Sequence, residues 1–578
     1  MQLQEYWGIG PKTATLLSES LSIEQAIEAI ESADARTLID AGLTPGRATR
    51  ILRHANGGEG LETLTTRDTR DVYKRLLDLA EEYAVTRHAG DRIRVLTPLT
   101  DMDEMRARRD DVMEATESWR ALDDGTREAV LAAFDRHDSA VGDLSAAETA
   151  VALAETDADS GVFADVAALD TDQLAETAVA LRALDGDDRL GAGADDELDR
   201  LRGALATVED MAADPDDVLD AVRSSVRDAA EFQSAFVRHV ADETGLPSSE
   251  VRDTAPESAA DASGFVTEGL RALATTLRTR VDERETTVAG GLRETVEDAR
   301  NELDEAVAIV DDLAFDVSLA RFTVAYNLTE PTLVETETLA VEGARNLDLL
   351  DSGIDVQPID YAIGEHDLGV PSGDRVAVLT GANSGGKTTV LETLCQVQLL
   401  AAMGLPVPAE AASVGRVDSI VFHRRHASFN AGVLESTLRS VVPPLTREGR
   451  TLMLVDEFEA ITEPGRAADL LHGLVTLTVE REALGAFVTH LAEDLEPLPE
   501  VARVDGIFAE GLTPELELEV DYQPRFGQLG KSTPEFIVSR LVAEATDRGE
   551  RSGYEHLAAA VGKEAVQRTL ADVRWTGE

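Results

Sequence analysis

Gly381-Ala382-Asn383-Ser384-Gly385-Gly386-Lys387-Thr388 has the spacing G-x-x-x-x-G-K-[ST]. Glycines there let main-chain N–H groups approach phosphates without a Cβ in the way, and a helix starting at the loop turns its partly positive end toward them. Lys387 would then meet the β- and γ-phosphates, and the Thr388 hydroxyl would sit on Mg²⁺. About 70 residues on, the apolar run Thr451–Val455 delivers Asp456 and Glu457, a pairing that carries weight after such a loop. Asp456 would hold Mg²⁺, directly or through water, and Glu457 would orient and deprotonate an attacking water. The next apolar run ends in Thr489-His490, where His490 could sense the γ-phosphate. The implied chemistry is Mg²⁺-dependent binding and hydrolysis of ATP. The plainer alternatives are a chance glycine-rich turn and a strand ending in two surface acids. The order of the elements weighs against them. So does the rarity of lysine, which occurs only at Lys12, Lys74, Lys387, Lys531 and Lys563.

These residues need a sheet to carry them. Arg375–Thr380, Ser419–His423, Thr451–Val455, Ala486–Thr489, Gly506–Ala509 and Leu516–Val520 read as strands alternating with helical stretches, an α/β signature. The helix after the glycine loop is expected over Thr389–Met403, so Thr389 joins residues 381–388 as a nucleotide-binding candidate. Upstream, residues 61 to about 335 are helical by pattern, with apolar residues three and four apart, as at Leu198, Leu201 and Leu205. Leu270–Leu303 reads as one or two long helices with a break at Gly290-Gly291. Arg106–Arg109 reads as a solvated helix face, and Trp119 as core. Asn56-Gly57-Gly58-Glu59-Gly60 reads as a flexible linker.

The chain has 578 residues, too many for one core. It carries 111 acidic against 53 basic residues, a formal net charge of −58, and 43% hydrophobic residues. Acidity spread along the whole length with so little lysine suits a halophilic, high-salt cytoplasm, where carboxylates keep the surface hydrated. Such a charge neither requires nor excludes DNA. One cysteine, Cys395, excludes an internal disulfide and a multi-cysteine zinc site. No apolar run reaches the ~20 residues of a membrane span, and no signal-peptide pattern opens the chain, so a cytoplasmic location and no membrane partner are expected.

The N-terminus holds a local exception to the acidity. Trp7-Gly8-Ile9-Gly10-Pro11 precedes the helical Lys12–Glu19, a second helix covers Ile23–Ser32, and Ala41-Gly42-Leu43-Thr44-Pro45-Gly46 precedes the helical Arg47–His54. Paired glycine turns opening short helices read as a helix-hairpin-helix unit, which grips the DNA backbone without reading bases. The N–H groups of Gly8, Ile9 and Gly10, and those of Gly42, Leu43 and Thr44, could face phosphates. Lys12 flanks the first turn, and Arg47, Arg50 and Arg53 form a basic face after the second. A helical protein-contact domain with exposed arginines is the alternative.

Together these stretches resemble the MutS family of DNA-repair ATPases. Residues 381–388 resemble its GPNMGGKS/T loop, with Ala382 and Ser384 as departures. Gly404-Leu405-Pro406-Val407-Pro408-Ala409 and Gly415–Phe422 resemble its G-x-x-V-P-A and G-x-x-D-x-I-F stretches. Asp456-Glu457 and Thr489-His490 resemble its carboxylate pair and switch histidine. More weakly, Leu96–Met105 with Arg106, Arg108 and Arg109 resembles the opening of its helical core, Phe315-Asp316-Val317 its close, and residues 522–541 its last segment. The family's S-T-F appears as Ala427-Ser428-Phe429, so Ser428, which would reach the partner subunit's γ-phosphate, stands one position off. With no mismatch-reading domain or Phe-x-Glu wedge ahead of the core, the resemblance is to a short branch of the family carrying an N-terminal helix-hairpin-helix unit.

The resemblance implies three parts: an N-terminal all-α helix-hairpin-helix unit, a long all-α core and lever region, and a C-terminal α/β P-loop ATPase domain. The expected boundaries are 1–57, a linker helix over 58–90, core and levers over 91–335, the ATPase domain over 336–545, and C-terminal helices over 546–578. It also implies a homodimeric clamp on double-stranded or branched DNA, controlled by ATP and Mg²⁺, in repair or recombination. No nuclease constellation is visible, so strand cutting would need a repair nuclease partner. A branched-DNA binder with little ATP turnover and a nucleotide-gated recruiter of partners remain as rivals. A Rad50-like ATPase fits poorly, because the helical region precedes the glycine loop.

Overall fold

Buried parallel strands are apolar at nearly every position, and the runs with that character assemble into one sheet. In chain order the strands are β1 (Thr332–Val334), β2 (Thr338–Ala344), β3 (Ile359–Gly364), β4 (Val376–Gly381), β5 (Ala411–Gly415), β6 (Ser419–His423), β7 (Thr451–Asp456), β8 (Leu484–Val488), β9 (Ala502–Leu512) and β10 (Leu518–Arg525). The computed structural model describes residues 3–566 apart from 56, 138–141, 185–189, 227–228, 257–258, 260, 382–385, 426–430, 462–463, 513–517, 531–533 and 563–565. The large sheet has the order β10-β9-β4-β8-β7-β6. Its neighbours are parallel except β10, which runs antiparallel to β9. Every residue of β4, β7 and β8 is buried. The described residues of the six runs read as strands fall on β4 and β6–β10 of this sheet or at their ends.

A second sheet, β1-β5-β2-β3, was not anticipated. Its strands are short, and β5 pairs with β1 and β2 from about 70 to 80 residues away, so no local alternation announces it. The two sheets meet at a buried polar knot. The Tyr361 hydroxyl donates to Asp505 Oδ2 at 2.9 Å, Arg503 Nε lies 3.0 Å from the same oxygen, and the Gly527 N–H donates to Oδ1 at 3.0 Å. Burial pushes the Asp505 carboxyl upward, while Arg503 and the hydrogen bonds oppose the shift.

The knot fixes the chain beside the glycine loop. Thr380 Oγ1 donates to the Asp505 carbonyl at 2.9 Å and accepts from the Gly530 N–H at 2.8 Å. A Cβ at Gly530 would lie 2.8 Å from Gly381 Cα and 2.9 Å from Gly506 Cα, so backbones touch there.

The segment over 58–90 does more than link. Residues Gly58–Thr63 form a 3-10 helix, and a Cβ at Gly60 would lie 1.6 Å from the Pro98 carbonyl oxygen. The glycines expected to be flexible instead allow close packing. The helix Arg67–Glu81 then covers the edge of the large sheet. Thr66 Oγ1 donates to the Phe422 carbonyl at 2.6 Å, and Thr69 Oγ1 donates to that of Ile420 and accepts from the Phe422 N–H. Side-chain hydroxyls thus satisfy the open groups of edge strand β6.

Arg106, Arg108 and Arg109 do not form a solvated face. On the helix Met102–Ala121, Arg108 donates to the Met403 carbonyl at 3.1 Å and Arg109 to that of Pro331 at 3.1 Å. Trp119 is buried, as is Cys395.

The chain divides into two units, residues 1–123 with 311–578, and residues 124–310. In the second, the helices Asp196–Ala213 and Ala262–Asp298 pack through Leu198, Leu201, Leu270, Leu273 and Leu277. Ion pairs Arg284–Asp195, Arg202–Glu285 and Arg278–Glu209 line the contact. Gly290 and Gly291 do not break the long helix, which ends at Asp298 before the next begins at Arg300. Two glycines cost roughly 1 kcal/mol each against alanine, in a helix that buries Leu270, Leu273, Leu277, Val281 and Ala289 along its length. No described helix is long and apolar enough to cross a membrane.

Two outcomes are expected. Gly530→Ala should lose about 1–3 kcal/mol in denaturant unfolding, the usual range for overpacking. Half-buried Asp316, beside Arg92, Asp312, Asp111 and Glu114, has its carboxyl pushed up to about 7, chiefly by burial. Between pH 4 and 7 the folded chain therefore keeps a proton that the unfolded chain has lost, so this group's contribution makes stability fall as pH rises. Asp316→Asn should flatten that slope and unfold at higher denaturant than the parent at pH 8, which denaturation series at several pH values will show.

Candidate nucleotide-binding site

Register brings the site together. Leu379 of β4 and Asp456 of β7 both pair with Val488 of β8, and Gly381 pairs with Ile507 of β9. The ends of β4, β7 and β8 therefore lie side by side at the carboxyl edge, where open parallel sheets bind ligands. Gly381 has φ 117°, and a Cβ there would lie 1.9 Å from the Ile507 carbonyl oxygen, so only glycine fits. The helix Gly386–Ala402 leaves from this edge and begins three residues before the expected Thr389.

Lys387 is 4% exposed and its Nζ donates to the Gly381 carbonyl at 2.9 Å, closing the loop on itself. Burial holds its pKa below the usual lysine range, against the pull of Glu457, Asp456 and Glu459. Thr388 Oγ1 donates to Asp456 Oδ2 at 2.7 Å. Asp456 is 2% exposed, and burial pushes its carboxyl up against that hydrogen bond. Its Oδ1 is buried with no hydrogen-bond partner, which costs roughly 1–3 kcal/mol unless something binds there.

These residues fit Mg²⁺. Thr388 and Asp456 supply hard oxygen at the loop, and the orphaned Oδ1 offers more. Among the described residues no group of three or more His, Cys, Asp or Glu could hold a metal ion. Mg²⁺ takes one or two protein oxygens and completes its shell with phosphate and water.

Glu457 has φ 41°, its N–H donates to the Val488 carbonyl, and its Oε1 lies 2.8 Å from His490 Nε2. Arg425 Nη1 lies 2.7 Å from its other oxygen. The His490 hydrogen bond, aided by Arg425 and Lys387, holds the Glu457 carboxyl below its ordinary value. Glu457 is thus kept ionised, and it accepts a proton more readily once Arg425 moves away.

Sequence reading missed Glu459, two residues on in the 3-10 helix Phe458–Ile461. Its Oε1 accepts from Thr489 Oγ1 at 2.8 Å and from the His490 N–H at 2.7 Å, so it fixes the height of His490 against Glu457. In so acidic a chain one more carboxylate gave no signal. Tyr522, 38% exposed, was also missed: a Cβ on Gly386 would lie 2.5 Å from its ring. Thr389 lies in the first turn of that helix, where its carbonyl accepts from Thr393 Oγ1 at 2.8 Å. Ala382, Asn383, Ser384 and Gly385 lie outside the described residues, as does Ser428.

The N-terminal candidates fall into two groups. Helices Pro11–Ser18, Ile23–Glu31, Ala35–Asp40 and Pro45–Ala55 pack around Leu17, Ile30, Leu38 and Ile51. Gly8 and Gly42 have φ 79° and 100°, as tight turns before helices require. Ile9 and Leu43 are core side chains. Three main-chain N–H groups expected to face phosphate are consumed inside the turns: Ile9 donates to Tyr6, Gly42 to Ile39 and Leu43 to Leu38. Among the described residues those of Gly8, Gly10 and Thr44 make no such bond. Arg53 is committed elsewhere, donating to the Arg94 carbonyl at 2.9 Å with its guanidinium 5.3 Å from the Tyr73 ring centre. The Arg47 guanidinium joins the two turns through the Gly8 carbonyl and Thr13 Oγ1. Lys12 and Arg50 are exposed.

A strand leading to a helix that opens with Gly386-Lys387-Thr388, with two carboxylates at the end of the next strand but one, is the arrangement that a P-loop nucleotide site requires. Comparison with known proteins is narrower. The chain is similar to a Pyrococcus furiosus protein named DNA-binding protein MutS2, 41% identical over 264 residues, 45% of each chain. It is similar to a Thermomicrobium roseum protein named Endonuclease MutS2, 33% identical over 208 residues, 33% of this chain and 25% of that one. It is also similar to a Granulibacter bethesdensis DNA mismatch repair protein MutS, 32% identical over 229 residues, 37% of this chain and 23% of that one. The chain is thus similar to proteins named MutS2 and MutS, and the matched stretches span less than half of these curated relatives. No family model matches the chain.

Lys387→Ala should weaken binding of a fluorescent ATP analogue at least 100-fold, through loss of a buried charge-assisted contact of about 3 kcal/mol or more. Titration of both proteins at equal Mg²⁺ and salt checks it.

Proposed function

We propose that the protein is an ATP-hydrolysing, DNA-binding protein of the MutS type. The convergence of Lys387, Thr388, Asp456, Glu457 and His490 on one sheet edge carries the reading. Relatives named for DNA binding and mismatch repair support the choice of DNA as partner.

In this reading Lys387 and the loop amides hold the triphosphate. When bound, Mg²⁺ at Thr388 and Asp456 would neutralise charge developing on the phosphates. Glu457, released from Arg425, takes a proton from the attacking water, and His490 orients it. Two chains pair through their α/β domains, Ser428 reaches the partner's nucleotide, and the helical region grips DNA as a clamp. ATP favours one clamp state, hydrolysis restores the other, and the difference in affinity between the states sets the size of the shift. The N-terminal helices serve as a helix-hairpin-helix unit, with Gly8, Gly10 and Thr44 amides, Lys12, Arg47 and Arg50 facing the DNA backbone. The work is repair or recombination control in the cytoplasm, with a separate nuclease where strands are cut.

The Arg425–Glu457 ion pair favours a second reading, a branched-DNA binder that turns ATP over slowly. Steady-state hydrolysis at high salt, with and without branched DNA, separates the two. The first reading expects stimulation by DNA. It also expects Glu457→Gln to lose about 100- to 1,000-fold in kcat while still binding ATP, as removal of a general base does. Glu459→Ala should lose on the order of 10- to 100-fold in kcat with little change in KM, because His490 is then misplaced. Equal rates for Glu457→Gln and the parent would remove the base assignment.

A further inference from the structure

Between the two N-terminal glycine turns lies a cleft of about 550 Å³, in the size range of small-ligand sites. Trp7, Gly8 and Thr44 line it together with Arg47, Arg50 and Ile51, and none of its described lining residues is acidic. In a chain with 111 acidic against 53 basic residues, two arginines without a carboxylate mark a place suited to an anion. No described carboxylate forms an ion pair with Arg50.

The aromatic residue is placed as unusually. Trp7 stacks on His54 with ring centres 3.7 Å apart and planes 22° from parallel, yet 52% of Trp7 is exposed. An indole normally hides such area in a core or presents it to a partner. Here His54 backs the ring, which lines the cleft together with Gly8 and residues of the helix Pro45–Ala55. Burial, and then the charge of Arg50, keep the His54 pKa below its ordinary value.

We propose that this cleft receives an unpaired DNA nucleotide, its base stacked on Trp7 and its phosphate on Arg50. The inference rests on the DNA-binding reading and deepens it. Backbone contacts from glycine turns are the same on any duplex, whereas an open aromatic face takes a base only where pairing is broken. The N-terminal unit therefore selects gaps, flaps and branch points over continuous duplex. Stacking also persists at salt concentrations that screen arginine–phosphate attraction, which suits so acidic a chain.

The test compares the full-length parent with Trp7→Ala, Trp7→Phe and Arg50→Glu on continuous duplex, on the same duplex with a short oligo-dT gap, and on that gap made abasic. The parent should bind the gapped duplex more tightly than the other two. Trp7→Ala should lose roughly 5- to 100-fold on the gapped duplex, the span seen for loss of one base–aromatic stack, and little on continuous duplex. Trp7→Phe should retain the preference but lose the quenching of tryptophan emission that gapped DNA causes in the parent. Arg50→Glu should weaken binding to all three. Equal loss with Trp7→Ala on gapped and continuous DNA, or no loss on either, overturns the proposal while leaving DNA binding intact. A parent that retains none of the three DNAs removes the wider reading instead. Trp7→Phe guards against misfolding of the alanine variant, since a folded Trp7→Phe without gap preference also overturns the proposal.

Discussion

The hydrogen-bonded register of β4, β8 and β7 is the constraint on which the site depends. Val488 pairs with both Leu379 and Asp456, so the glycine loop, the two carboxylates and the histidine end on one line. A slip of one residue in either pairing would turn Asp456 to the opposite face of the sheet. The apolar character of these strands therefore does more than fill a core, since it sets the distance between Thr388 and Asp456. Among the described residues Asp456 Oδ1 has no hydrogen-bond partner, which leaves that oxygen open to a ligand.

Neighbouring contacts keep that line straight. Thr66 and Thr69 close the edge of the sheet at β6. On the other side, Asp505 collects Tyr361, Arg503 and the Gly527 amide, and Thr380 joins the Asp505 carbonyl to the Gly530 amide. These links run from the second sheet to the residue immediately before the loop. Movement of the 527–530 segment would thus be felt at Gly381. Glu459 plays the matching part on the far side of the site, by holding Thr489 and His490.

Much of this was legible in the sequence, for identifiable reasons. The six strands of the large sheet are readable because strands buried on both faces are apolar throughout, and the Gly381–Thr388 and Asp456-Glu457 motifs stand out because a phosphate-binding loop would require that spacing. Other features depend on residues far away in sequence. The partners of β5 lie about 70 to 80 residues upstream, and no short window carries that pairing. Arg106, Arg108 and Arg109 look solvated until Leu333, Pro331 and Met403 present carbonyls to them. Gly57–Gly60 looks flexible until Pro98 packs against it. The amides of Ile9, Gly42 and Leu43 look available until the turns close on them, and Arg53 looks like a DNA contact until Arg94 offers its carbonyl. Gly290-Gly291 shows the reverse, where a local helix-breaking signal yields to packing along a long helix.

The central claim is that the edge formed by Thr388 and Asp456 binds a magnesium nucleotide. Calorimetric titration of ATP at a series of Mg²⁺ concentrations, with the parent and Asp456→Asn, tests it most directly. The account predicts that parent affinity climbs steeply with Mg²⁺, while the variant binds metal-free ATP about as well as the parent and gains little from the metal. Identical Mg²⁺ dependence in the two proteins, or a parent that takes up no ATP at any Mg²⁺ concentration, would contradict it.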